Sequence, residues 1–442
     1  MTAMSRTSLL RRKSKVTVSE DLDPDTPNRA LSRRGFLAGA AATGGFVVLP
    51  SGTKLAFADP AQPATGDILV YLFMRGGADG LSLVPPVGMQ SYYDLRIQDG
   101  FDITVSQAQA LDLGHPDLAL HPAFAPLYPF WQANEMAIVH AAGSPASLSR
   151  TRSHFEAEEV WERCGTQRTT PTGWLGRHLA TSGDVSSSLA GISHDRNIWS
   201  AMQGFGGSLA ISNINNFDVF GFENSADART VLNAINAGGG VVQSEGQQTL
   251  NAVNTINGID FNAIEPQNGA VYNNSNSLAR EMRQIAQLIR ANVGLRAVSV
   301  DVGGWDTHSD MGIPQSGNRM FDRIDRLANG IQPFLVDMGN DMNEITLLVV
   351  SEFGRTINVN GNGGTDHGRG SAMFAFGKSI RGGIYGGFPD VIEDGPEGDL
   401  TVVNDFRQVY AEILDRRLDN GANTSFVLNG YDPGGNYLGL AV

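Results

Sequence analysis

Four short apolar runs constrain this chain more than any other feature: ILVYLFM from Ile68, AVSVDV from Ala297, ITLLVVSEF from Ile345 and MFAFG from Met373. Runs of this length, rich in β-branched and aromatic residues, suit strands covered on both faces, as in a parallel sheet. Helical patterns lie between and after them. Leu278, Met282, Ile285 and Ile289 share one helical face, and Phe321, Ile324, Leu327, Ala328 and Ile331 share another. Near the end, NDFRQVYAEILDRRL sets Phe406, Val409, Tyr410, Ile413 and Leu414 at helical spacing, with Asn404 as the expected N-cap. Strand and helix in alternation predict an α/β fold.

The first residues follow different rules. LSRRGFLAGAAATGGFVVLPSGTKLAFADPA places Arg33 and Arg34 ahead of Phe36 and Leu37, then an Ala/Gly-rich apolar run, then Ala56-Phe57-Ala58. That is the pattern of a twin-arginine export signal over residues 1–58, with the α/β domain over 59–442. The apolar run is shorter than the roughly 20 residues a bilayer requires. No stable membrane span is therefore expected after cleavage, and the destination is the periplasm or the exterior. Removing 1–58 leaves 23 Lys/Arg against 42 Asp/Glu, a balance of −19 in place of −14. So acidic a surface repels nucleic acid, and an anionic substrate would need a locally positive pocket. The single cysteine, Cys164, permits no internal disulfide, so stability must come from a core. Residues from about 208 to 277 are Asn- and Gly-rich, with weak periods, and suggest an insertion or cap.

Ligands of α/β sheets collect beyond the carboxyl ends of strands, which directs attention to the residues bordering each apolar run. RGGADG brings Asp79 after the first run, GGWDTH brings Asp306 and His308 after the second, and EFGRT brings Glu352 and Arg355 after the third. GGTDHGRG, just before the fourth, carries Asp366 and His367. Carboxylates mixed with imidazoles suit divalent ions, and the lack of paired cysteines excludes a thiolate site. In an extended segment residues i and i+2 project to one side, so Asp306 and His308 can address one ion. Asp366 is either a ligand or the group that orients His367. Each pair alone is equally a set of turn formers; their recurrence at several strand ends is what argues for a shared site.

Ser153, in SRTRSHFEAEEVW, precedes an expected helix and has Glu156 three residues on. It is a candidate helix cap, a candidate nucleophile at a helix N-terminus, or both. His154 beside it is open to either a surface or a ligand role. No dinucleotide fingerprint, haem motif or cysteine cluster supports redox chemistry.

Taken together and in order, RGGADG, SHF, TGWLGR, GGWDTH, EFGRT and GTDHGRG behind a twin-arginine signal resemble the domain of unknown function 1501 family. That family is similar to the alkaline phosphatase and sulfatase superfamily. The resemblance implies an alkaline-phosphatase-like α/β fold, with a largely parallel central sheet, helices on both faces and a metal site at the strand ends. It further implies a hydrolase of phosphate or sulfate esters, with one or two divalent ions (Zn, Mn or Ca). Ser153 would be the nucleophile, and Asp79, Asp306, His308, Glu352 and His367 the metal ligands, with Asp366 as a further candidate. Arg355 would bind a substrate oxygen. The chain departs from that pattern at Glu352-Phe353, where the superfamily usually has Asp-His. The alternative is a non-catalytic surface-assembly or secretion component that retains the fold and a structural metal. Expected partners are an anionic ester substrate and the twin-arginine export machinery.

Overall fold

A computed structural model describes residues 67–183, 185, 187–218, 225–236, 241–389 and 398–442; the segment expected to be a twin-arginine signal lies outside them. Nine strands form one sheet: β1 (Ile68–Arg75), β2 (Met136–Gly143), β3 (Gly191–Ser193), β4 (Ser208–Ala210), β5 (Ala297–Gly303), β6 (Ile345–Val350), β7 (Ser371–Phe376), β8 (Gly383–Tyr385) and β9 (Asn404–Asp405). Their order is β8-β2-β7-β6-β1-β5-β3-β4, with β9 also paired to β2. β1 pairs parallel with β5 and β6, and β3 pairs parallel with β5 and β4. β7 alone is reversed, lying antiparallel between β6 and β2. The four apolar runs are β1, β5, β6 and β7, at the centre of the sheet.

Alternation along β1 divides the core into two layers. Val70, Leu72 and Met74 face Met282, Ile285, Ile324, Leu327 and Phe334, which come from the helices Ser277–Arg290 and Arg319–Met338. Leu69, Tyr71 and Phe73 face the opposite layer, built on α1 (His154–Arg163), α2 (Trp174–Thr181) and the helix Phe406–Arg416. There the Tyr71 and Tyr410 hydroxyls lie 2.7 Å apart, and Trp174 stacks on Tyr410 at 4.4 Å. Helices on both faces of a largely parallel sheet follow from strands apolar on both sides.

Residues 208–277, weakly periodic in sequence, include the helices Ser225–Ile235 and Val241–Asn257. Ala252, Ile256, Phe261 and Tyr272 join the main core. Asn254 and Asn257 face outward on the second helix, while the first leaves Val231 and Ile235 exposed, which blurs the hydrophobic period. At the helix Phe406–Arg416 the cap is Asp405, whose carboxylate accepts from Arg407 N. Asn404 instead donates to the carbonyls of His140 and Gly387, tying β2 to the loop after β8. Among the described residues no helix is long and apolar enough to cross a membrane.

One largely buried cation at the end of β1 anchors α1 to the sheet. Arg75 reaches Asp301 at 2.6 Å, Glu162 at 2.9 Å and Glu158 at 3.1 Å, with Trp199 covering its guanidinium at 3.9 Å. Three carboxylates around one guanidinium leave excess negative charge out of water. Burial pushes Glu162 up to about 7, against the pull of Arg75. By the same cause Glu158 rises to about 7 and Asp301 to about 6.

The folded chain therefore holds protons that the unfolded chain would release. The stability from protonated Glu162 is fully present below its ordinary value of 4.5 and is lost as pH rises through about 7. Buried His140 and His178 act with the opposite sign, because burial lowers them to about 4 and about 3. The whole-protein slope thus mixes the two effects, whereas a single substitution separates them. Relative to the parent, Glu162→Gln should gain stability between pH 5 and pH 8 in urea unfolding. A difference constant with pH would show that Glu162 is ionised in the folded protein throughout.

Candidate metal centre

Four segments meet at one edge of the sheet because of strand direction. β1, β2, β5 and β6 end there, while reversed β7 begins there, so residues preceding β7 join residues following the others. Backbone bonds fasten the loops together: Thr365 N to Thr307 O at 3.0 Å and Gly368 N to Gly354 O at 2.9 Å. Gly76 and Gly77, both at positive φ, end β1. A Cβ on Gly76 would lie 2.5 Å from Asp306 N, and one on Gly77 would lie 2.3 Å from the Phe353 ring. Their bare amides instead both donate to Glu352 Oε1 at 2.9 Å.

Three imidazoles converge above this floor. The Nε2 atoms of His308, His367 and His154 lie 2.9, 3.3 and 3.5 Å from one oxygen, Asp306 Oδ1. The His308 and His367 Nε2 atoms are 2.9 Å apart. Each ring is held from behind through Nδ1: His154 by Glu352 at 2.7 Å, His308 by Asp366 at 2.8 Å, His367 by the Arg152 carbonyl at 2.7 Å. Those three partners are acceptors, so each Nδ1 carries the proton. The neutral rings then turn their Nε2 lone pairs toward the common point. Two such lone pairs 2.9 Å apart repel unless a proton or a cation lies between them. His154 Nε2 is shielded from solvent and has no hydrogen-bond partner. His154, Asp306 and His367 present ligand atoms all within 4.8 Å of one another, a group able to hold a metal ion. This donor set of imidazole nitrogens and one carboxylate fits a divalent ion such as Zn, with outer carboxylates orienting the rings.

Arg355 lies behind Asp306 with its side chain fully buried. Its guanidinium donates to Asp306 Oδ1 at 2.5 Å and to the carbonyls of Gly77, Gly76, Thr365 and Trp305. Against the upward pull of burial, this contact and the nearby imidazoles hold the Asp306 carboxyl down to about 2. The Glu352 hydrogen bond raises His154, while burial lowers His367.

The structure brings Asp306, His308 and His367 together, with Glu352 and Asp366 behind the rings. Asp366 holds His308, not the neighbouring His367. Asp79 is not among them. Its carboxylate is committed to Arg96 at 2.7 and 2.8 Å and to Ser82 at 2.8 Å, where it caps a short helical turn. Ser153 is the N-cap residue of α1, but its side chain makes no capping hydrogen bond. Thr151 performs the local bonding, donating to Glu156 at 2.6 Å and accepting from Ser153 N. His154 is the site residue that sequence reasoning left open; its signal was its place beside Ser153 at the start of an amphipathic helix.

Residues 217–414 match the model of a family described as "Protein of unknown function (DUF1501)". This is a match to the family that the motifs resemble, over a span that includes Asp306, His308, Glu352, Arg355, Asp366 and His367 and stops short of His154. No curated protein matches the chain. Similar solved structures include a mutant TAB5 alkaline phosphatase with Mg bound, at 9% identity and TM-score 0.32, covering 84% of this chain and 100% of that one. Ps i-CgsB in complex with k-i-k-neocarrahexaose matches at 9% identity and TM-score 0.35, covering 85% of this chain and 74% of that one. The alkaline phosphatase from the Antarctic bacterium TAB5 matches at 10% identity and TM-score 0.31, covering 73% and 95%.

The geometry separates binding from stability. His154→Ala or His308→Ala should abolish most divalent metal retained after dialysis, while Asp366→Asn should weaken affinity by roughly 10–100-fold. Asp79→Ala should leave metal content unchanged but cost about 3–5 kcal/mol, because Arg96 is left buried without its partner. Elemental analysis and urea unfolding of the four variants check this; metal lost with Asp79→Ala and kept with His154→Ala would reverse the assignment.

Proposed function

We propose that this chain is an exported, metal-dependent hydrolase of phosphate or sulfate esters. The observation that carries the reading is the convergence of three Nε2 atoms on Asp306 Oδ1, with every Nδ1 against an acceptor. A divalent ion held by His154, Asp306, His308 and His367 would supply Lewis-acid chemistry toward an ester oxygen. Glu352, Asp366 and the Arg152 carbonyl keep the rings in the ligating tautomer. Arg355 keeps Asp306 ionised and adds a fixed positive charge. Since its donors are already engaged by carbonyls, it positions the centre and does not grip the substrate. Phe353 lies against His154 and His367, at 4.8 and 5.1 Å between ring centres. With an aromatic ring there in place of an imidazole, one divalent ion, not two, matches the residues present.

Ser153, adjacent to His154 and free of capping duty, is the nucleophile in this reading. Its Oγ attacks phosphorus or sulfur, the ester oxygen leaves as the alcohol with the serine proton, and water then cleaves the Ser153 ester. Ser153→Ala should abolish turnover of aryl phosphate or aryl sulfate while metal content and the urea midpoint stay near the parent's. Turnover retained by that variant would transfer the attack to water. A parent that is metal-loaded yet inert across a broad ester panel would favour the second reading, a non-catalytic assembly component. The same Phe353 packing supports that reading. Export rests on Arg33 and Arg34; replacing both with Lys should retain the protein in the cytoplasm on cell fractionation, and unchanged export would refute a twin-arginine route.

A further inference from the structure

The helix Arg319–Met338 starts beside the metal centre and carries Arg319, Arg323 and Arg326 along one face, at i, i+4 and i+7. The row is about 10 Å long at a rise of 1.5 Å per residue. At its near end Arg319 donates to the carbonyls of Asp306 and Ser309 at 3.2 and 3.1 Å. Arg323 lies across the turn after β5, where a Cβ on Gly304 would come within 2.5 Å of its Cζ. At the far end Asn276, which caps the helix Ser277–Arg290, donates to the Arg326 carbonyl at 2.8 Å. The positive end of a second helix dipole therefore adjoins the row.

The described residues do not neutralise these charges. No carboxylate pairs with any of the three arginines, and the guanidinium groups of Arg323 and Arg326 have no hydrogen-bond partner among the described residues. Burial, Arg326 and Arg319 all pull Arg323 below its ordinary value. The carboxylates interleaved with the row are engaged elsewhere: Asp322 accepts from Gly317 N and Asp325 from Asn329 Nδ2, both at 2.9 Å. With 46 acidic residues against 32 basic ones, the chain had carboxylates to spare. Hydration alone is a poor account of the row, because partly buried Arg323 is held against two like charges. The complement of such a row is a ligand with several anionic groups along its length. Phe321, the aromatic residue of this stretch, packs on His121 at 5.8 Å, so the row lacks the stacking platform that suits a nucleic-acid strand.

We propose that Arg319, Arg323 and Arg326 form a binding track for a linear polymer that carries sulfate or phosphate esters at intervals, with one ester reaching the metal centre. As a statement about substrate, this rests on the hydrolase reading above; as a binding surface it does not. Arg323 and Arg326 hold esters further along the polymer, and Arg319 joins the track to the loop that bears Asp306.

Calorimetric titration of the full metal-loaded protein with dextran sulfate and with dextran phosphate of equal length tests the track without requiring turnover. The parent should bind at least one of them and leave neutral dextran unbound; the tighter polymer names the ester. Arg323→Gln and Arg326→Gln should each weaken that binding about tenfold and lower its salt slope by roughly one. Arg168→Gln, an exposed change on the loop between α1 and α2 in the opposite layer, should bind as the parent does. Equal weakening by Arg168→Gln would mean diffuse attraction and overturn the proposal. So would a parent that binds neither charged polymer, or binding lost in His308→Ala and kept in Arg323→Gln. A single-stranded oligonucleotide held more tightly than either polymer, through the same arginines, would replace the ester polymer by nucleic acid. Where esters are turned over, Arg323→Gln should raise KM for the charged polymer about tenfold and leave kcat and KM for a small aryl ester unchanged. A KM raised equally for both would refute the track as a polymer site. A protein that turns over no ester but binds the polymer through Arg323 and Arg326 would retain the track and lose the hydrolase reading.

Discussion

The buried guanidinium of Arg355 is the contact on which this site depends. It gathers the carbonyls of Gly76 and Gly77 after β1, Trp305 after β5 and Thr365 before β7, and it places its remaining charge against Asp306. The loops after β1 and β5 and the connection between β6 and β7, which carries Arg355 itself, are thereby fixed to one point. A neutral residue here would leave those carbonyls without donors and Asp306 without its counter-charge, so geometry and electrostatics would fail together.

The reversed strand β7 supplies the other half of the construction. In an all-parallel sheet, a residue preceding a strand lies at the opposite edge from residues following its neighbours. Because β7 runs against β6 and β2, His367 enters from its amino end and meets Asp306 and His308. Glu352 then acts one layer below the imidazoles, held by the two glycine amides. This makes the centre rigid underneath and open above, where the Asp306 side chain is 48% exposed and that of His308 is 43% exposed.

The central strands were legible because an unbroken apolar run has few other destinations than a sheet covered on both faces. β2, MAIVHAAG, was not, since its alanines and its histidine give no strong strand signal although all eight residues are buried. Asp306 and His308 were legible as a pair through two-residue spacing. Asp79 was attractive for the same positional reason, and nothing in RGGADG announces Arg96, seventeen residues away, as its partner. The division between ligands and the carboxylates behind them was also hidden. Whether a carboxylate meets a metal or the far side of an imidazole depends on distances that spacing along the chain does not encode. Ser153 looked like a capping box because Glu156 stands three residues on, yet Thr151 takes the glutamate's bond instead.

The most direct test of the account is the coordination shell of the bound ion. X-ray absorption at the edge of the metal retained by the full-length protein should show about three imidazole nitrogens and one carboxylate oxygen; for zinc, the nitrogens should lie at roughly 2.0–2.1 Å. In His154→Ala measured with added metal, to offset its weakened retention, one nitrogen should disappear. A shell of oxygen ligands alone, unchanged by that substitution, would contradict the convergence of the three histidines as a metal centre.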